Sequence, residues 1–222
     1  MTELTAETIA RGLTAYVVLL FSLSFHEAAH AWAALRMGDD TAMRQGRITL
    51  NPIVHIDPLG TVLLPLMMFL SSGTPLFGWA KPTPYNPANF RRDRTIGQGH
   101  VLVASAGPLS NLLLAIVFTV ALVIAVRAGL VRSDRDPVLR LLVAGVNINV
   151  LLAVFNLVPL PPLDGSKVAA WGLPRGLGDA YVRIIEPYGS WILLLLFATG
   201  LLSMVLSPLT GFLTTVLFSM VR

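Results

Sequence analysis

Cysteine is absent from all 222 residues. No disulfide can staple this chain, no thiolate can act as nucleophile, and any bound metal must be held by histidine, aspartate, glutamate or asparagine. Charge is scarce too. Asp, Glu, Lys and Arg make up 13% of the residues, about half the usual share of a soluble domain. With 55% hydrophobic residues and a mean hydropathy of +0.72, an ordinary soluble globule is excluded. The small basic surplus, +4 at pH 7, is spread over short loops without an aromatic-basic motif. It reads as a membrane-orientation signal, and no nucleic-acid partner is expected. The acidic start, with Glu3 and Glu7, does not read as a secretory signal. Internal repeats and low-complexity linkers are also lacking.

What the chain has instead is long uncharged stretches: 12–25, 59–80, 95–126, 141–163 and 187–221. A spanning helix needs about 20 apolar residues, and most of these are long enough. The expected fold is an all-α polytopic membrane protein, a bundle of about 4–6 transmembrane helices. Residues 9–37, 100–126 and 138–158 read as spans. Residues 190–221 read as one tilted span or two short ones broken at Pro208. Residues 59–72 are short for a span and contain Pro65, so they read as a membrane-dipping loop, with a short tilted helix as the alternative. Residues 47–51 and 79–87 read as short β or extended segments, the second forced open by Pro82, Pro84 and Pro87. Seven Lys and Arg fall in 36–94, against three in the 127–137 turn, where Asp134 and Asp136 offset them. That asymmetry places the former in the cytoplasm and the N-terminus outside.

One pattern stands out within this apolar background. Phe25-His26-Glu27-Ala28-Ala29-His30 is an HExxH sequence inside an apolar helix with no other charge between Arg11 and Arg36. Histidines at i and i+4 share one helix face, the spacing two imidazoles need to hold one zinc ion, with the glutamate beside them as proton carrier. An ionisable side chain in lipid is costly, so an intramembrane Glu27 points to function. A catalytic zinc takes three protein ligands, and the candidates for the third are Asp164, Asp57, His55, His100 and Glu186. Asp164 is favoured because Pro159, Pro161 and Pro162 end the preceding helix and Gly165 permits a tight turn, which can hold a carboxylate at fixed depth.

Taken together, FHExxH, Gly107-Pro108-Leu109-Ser110-Asn111 and the stretch from Asn156 to Gly165 (NxxPxPxLDG) resemble the site-2 protease family of intramembrane zinc metalloproteases. The three landmarks fall in that family's order and cover the core from His26 to Gly165. The resemblance implies one zinc per chain on His26, His30 and Asp164, Glu27 as catalytic acid/base, and Asn156 steadying the substrate or oxyanion. It also implies a short form without a PDZ or CBS domain. The chain would be a single intramembrane metalloprotease domain over 1–222, with core 9–166 and a C-terminal membrane segment 187–221.

The expected function is an endopeptidase that uses zinc-activated water to cleave transmembrane segments of single-span membrane proteins, in regulated intramembrane proteolysis. The partners would be such a substrate, the lipid bilayer and a regulatory membrane protein. The expected location is a prokaryotic cell membrane, with the site toward the cytoplasmic side. Around the site, His55 and Asn111 are candidates for the mouth, and residues 47–51, with Arg47, Ile48, Thr49 and Leu50, and 79–85 for pairing with an extended substrate. The alternative is a metal or proton transporter with a His/Asp site in the bundle. It would call for an inverted repeat or ligands scattered along a path, and neither is present.

Overall fold

The computed structural model describes residues 5–72, 78–133, 135–174 and 176–221. Nine α-helices are found among them: α1 (Ala6–Arg36), α2 (Thr41–Arg44), α3 (Leu64–Ser72), α4 (Ile96–Arg127), α5 (Pro137–Asn156), α6 (Asp164–Gly172), α7 (Leu177–Ile185), α8 (Gly189–Ala198) and α9 (Leu201–Ser219). Five helical stretches are long and apolar enough to cross a membrane: Ala6–Arg36, Ile96–Arg127, Pro137–Asn156, Leu177–Ala198 and Leu201–Ser219. The chain is an all-α polytopic membrane bundle.

The long helices begin where the sequence offers an acceptor to their free N–H groups. Thr5 Oγ1 accepts from Thr8 N on α1, Thr95 and Gln98 form a reciprocal capping box on α4, and Asp136 accepts from Val138 N ahead of Pro137 on α5. α1 stops at Gly38, whose φ of +102° and close neighbours, Asn89 O and the Arg91 backbone, suit no residue with a side chain. Residues 86–91 fold back against this end: Arg91 N donates to Met37 O at 2.7 Å.

α4 is the central helix and packs against α1, α5 and α6. One apolar core joins α4, α5 and α9 through Ala115, Val146, Val150, Val154, Leu202 and Leu206. A smaller one joins Leu19 and Leu23 of α1 to Leu152 of α5 and Ala80. The metal-site residues described below lie between these packing surfaces.

Three expectations are corrected. First, residues 58–72 form the short helix given as the alternative and not the favoured loop: a π-helical turn, Pro58–Leu63, leads into α3. Asp57 caps it by accepting from Leu59 N and Gly60 N. Pro65 is tolerated because the Thr61 carbonyl, which a proline four residues on cannot serve, accepts from the Tyr16 hydroxyl at 2.9 Å.

Second, the break in the C-terminal segment falls at Gly200, with φ +75°, while Pro208 lies inside α9. Third, no strand forms among the described residues. The 78–86 strip is extended but has no strand beside it. Its backbone bonds go elsewhere: Lys81 N to His55 O, Trp79 N to Gly60 O, and the Lys81 and Pro82 carbonyls to the Arg47 guanidinium. A strand needs a second extended chain in register, and helix ends and side chains take that place here.

Candidate metal centre

α1 presents His26, Glu27 and His30 to the bundle interior, all of them buried. The opposite side is built by the α5–α6 corner. α5 ends at Asn156, the chain turns through Pro159, Pro161 and Pro162, and Asp164 is the first residue of α6. Gly165 makes the turn possible, since a Cβ there would meet the Leu157 carbonyl oxygen at 2.3 Å. The result is convergence. His26 Nε2 and His30 Nε2 lie 3.0 Å apart, and Asp164 Oδ2 lies 3.2 Å from each.

The tautomers follow from the partners of the other ring nitrogens. His30 Nδ1 is 2.7 Å from the Val103 carbonyl oxygen, which can only accept, so Nδ1 carries the proton. His26 Nδ1 is 2.6 Å from Asn111 Oδ1. The Asn111 amide is oriented by the Ser22 carbonyl, which takes a hydrogen from its Nδ2, and by Asn149 Oδ1, which takes the other. Asn149 is oriented in turn by the Gly145 carbonyl and Ser22 Oγ. With both Nδ1 atoms protonated, both Nε2 atoms aim a lone pair at Asp164 Oδ2. Three lone pairs facing one another at this spacing repel unless a cation sits among them. The separations are close to the ~3.3 Å edge of a tetrahedron with metal–ligand bonds of about 2.0–2.1 Å. The donor set fits a zinc ion.

α4 closes the third side. A Cβ on Gly107 would stand 2.4 Å from His30 Nε2 and 2.6 Å from His26 Nε2, so no side chain fits there. Pro108, next to it, lacks the N–H a regular helix would use.

Glu27 is held from above by the 78–86 strip. Its Oε2 accepts from Thr83 N at 2.7 Å, and Thr83 Oγ1 donates to the Glu27 backbone carbonyl at 3.0 Å. His26, Glu27, His30 and Asp164 line a cavity of about 560 Å³, with Trp79, Thr83, Tyr85, Asn156 and Lys167 on its wall. That is the size and mixed character of a ligand site.

Of the residues singled out in the sequence, His26, His30 and Asp164 are brought together, with Glu27 and Asn156 on the same cavity. Asn156 Nδ2 donates to Leu152 O at 3.0 Å. Others lie elsewhere. Asn111 is fully buried behind His26 and not at a mouth. His55 is buried outside the cavity, with Nε2 donating to Thr49 O. Arg47 is buried and its guanidinium donates to the carbonyls of Val54, Lys81 and Pro82, latching the strip. Ile48, Thr49 and Leu50 line a different cavity, on another face of α1.

Sequence reasoning missed Gly107 as a wall of the site, Asn149 and Ser22 as supports, and Thr83 as the partner of Glu27. Asn149 had a signal, since an amide within an apolar span needs a partner. Thr83 had none.

The fold and this centre define the class: a polytopic membrane protein with a buried His–His–Asp constellation suited to zinc. The sequence is 41% identical over 195 residues to a Bacillus subtilis protein named as a zinc metalloprotease, YwhC, covering 87% of this chain and 84% of that one. It is 29% identical over 176 residues to Mycolicibacterium smegmatis Rip2, with 78% and 60% covered, and 31% identical over 204 residues to Mycobacterium tuberculosis Rip3, with 90% and 42% covered. Both carry the same zinc metalloprotease name, and this chain spans only part of their length. No family model matches the sequence, and no solved structure is significantly similar to it. The chain belongs to the family of zinc metalloproteases that includes YwhC. It is a metalloprotease with a zinc cofactor.

Proposed function

We propose that this protein is an intramembrane endopeptidase of the site-2 protease type that cleaves transmembrane segments of single-span proteins in regulated intramembrane proteolysis. The observation that carries the reading is the 3.0–3.2 Å triangle of His26, His30 and Asp164 donors, opening with Glu27 onto one cavity between apolar helices. Zinc held by these three residues would supply Lewis-acid polarisation of a peptide carbonyl and acidify water. Glu27 takes a proton from the attacking water and delivers it to the departing amide nitrogen. The Thr83 N–H holds one Glu27 oxygen and leaves the other without a partner among the described residues. Asn156 keeps a second amide hydrogen beyond the one given to Leu152, available to a substrate carbonyl.

A substrate helix hides its peptide bonds and must unwind to be cut. The 79–85 strip crosses the cavity, and the Ala80 N–H and C=O have no partner among the described residues. The strip is therefore the element that pairs with the unwound segment by backbone hydrogen bonds. Residues 47–50 do not line this cavity and have no part in that pairing. The basic residues of the 36–94 loops support a reading in which this end of the bundle, and the entry of water, is cytoplasmic. A regulatory membrane partner would supply control.

The test is cleavage of single-span substrates in vesicles by wild type, Glu27→Gln and Ala80→Pro, with zinc content measured in each. The reading requires zinc to be retained throughout, with cleavage lost in Glu27→Gln and strongly reduced in Ala80→Pro. Undiminished cleavage by Glu27→Gln would remove the protease mechanism. Undiminished cleavage by Ala80→Pro would remove the pairing alone.

A further inference from the structure

A second cavity, of about 890 Å³, lies between α1 and α4 and shares no lining residue with the metal cavity. Its α1 wall is Phe25, Ala28, Ala29, Trp32, Ala33 and Arg36, turned about 100° around the helix from His26 and His30 at 100° per residue. Its α4 wall includes Leu102, Ala106, Leu109 and Leu113, three of them leucines exposed on the bundle surface. At one end stand three arginines, Arg36, Arg91 and Arg94, with Asp93 the one acid among the lining residues. None of the three arginines pairs with a carboxylate among the described residues. Arg36 stacks over the Trp32 ring at 5.2 Å, which sets its charge at the seam between the apolar wall and the basic end.

The basic end is a built feature. Arg91 N is bonded to Met37 O, and Asp39 holds the same segment through Asn86 N and Asn89 Nδ2 at 2.7 and 2.8 Å. From Phe25 to Arg36 the groove runs ~16 Å along α1, about half of a ~30 Å hydrocarbon core. A groove one leaflet deep, apolar along its length and cationic at its water end, has the amphipathic pattern of a phospholipid.

We infer that the groove between α1 and α4 is a binding site for one anionic phospholipid, with its phosphate on Arg36, Arg91 and Arg94 and an acyl chain along Trp32, Leu109 and Leu113. The unpaired positive charge selects an anionic head over a zwitterionic one. A transmembrane substrate is the weaker occupant, because the groove shares no lining residue with the cavity that holds the metal donors. The site is independent of the protease reading. It gives the bilayer a direct hold on the helix that carries both imidazoles.

The experiment is native mass spectrometry of the full chain released from vesicles of equal phosphatidylcholine and phosphatidylglycerol. Wild type should retain one phosphatidylglycerol per chain. Arg91→Gln/Arg94→Gln should lose that preference by about 25-fold, at roughly a factor of five per arginine. Ala106→Phe, which fills the groove floor and leaves the charges in place, should lose the bound lipid of either kind. Zinc content serves as the folding control, and a variant without zinc is replaced by Arg36→Gln/Arg94→Gln or Leu109→Lys. Equal retention of the two lipids by wild type, or unchanged preference in the folded arginine variants, would overturn the site. Displacement of the lipid by excess glycerol phosphate would reduce it to a phosphate site. Displacement by a single-span substrate peptide would reassign it to substrate. Each of the last two results also overturns the inference.

Discussion

His26 Nδ1 lies 2.6 Å from Asn111 Oδ1, a contact between side chains 85 residues apart in sequence. Through it α4 sets which nitrogen of His26 faces the metal position, and Asn149 and Ser22 set the Asn111 amide in turn. Removing the acceptor while keeping the volume should loosen the ring and its tautomer. Asn111→Leu is expected to weaken zinc affinity about 10–100-fold, read by competition with a chelator. Asn149→Leu, one step further out, should weaken it less. Equal zinc affinity in wild type and Asn111→Leu would show that the amide does not orient the ligand.

Thr83 offers a cleaner dissection, because it sits between Pro82 and Pro84 in an already extended strip. Thr83→Pro suits that backbone and deletes both the N–H that Glu27 Oε2 accepts and the hydroxyl that donates to the Glu27 carbonyl. Thr83→Val keeps the N–H and loses the hydroxyl bond to the Glu27 carbonyl. The proline variant should lower kcat about 10–100-fold, a fraction of what positioned proton transfer contributes, with zinc retained. The valine variant should stay within a few-fold of wild type. An equal loss in the two variants would place the control in the hydroxyl, which both lack.

Asp39 gives the pH dependence. Burial pushes its carboxyl up, but hydrogen bonds from Thr41, Asn89 and the Asn86 backbone outweigh this and hold it below the usual aspartate range. A carboxyl with a depressed folded-state pKa stabilises the fold fully above its unfolded value of about 3.9. That stabilisation is lost as pH falls through the lower folded value. Asp39→Asn should therefore cost about 1–3 kcal/mol at neutral pH, and its deficit against wild type should close in acid. Thermal unfolding in detergent across that range is the measurement. A deficit that widens in acid would contradict the assignment.

The parts of this molecule that were legible in the sequence are those with local periodicity. The apolar runs gave the spans, and the i, i+4 histidines needed only helix geometry to share a face. Asp164 was legible because prolines and Gly165 mark a corner where a carboxylate can be held. What could not be read depends on contacts across the chain. Glu27 and Thr83 are 56 residues apart and neither residue type announces the other. Gly107 reads as helix packing until the rings stand against it. Pro65 argued against a helix because its relief, the Tyr16 hydroxyl on the Thr61 carbonyl, comes from 45 residues away. The 47–51 and 79–87 segments have strand-like composition, but only tertiary structure decides whether a second strand lies alongside.

The most direct measurement is zinc stoichiometry and X-ray absorption on purified wild type and Asp164→Ala. The account predicts one zinc per wild-type chain, with two imidazole nitrogens and a carboxylate oxygen at about 2.0–2.1 Å, and loss or rearrangement of that shell in Asp164→Ala. A shell and stoichiometry unchanged in Asp164→Ala would contradict it.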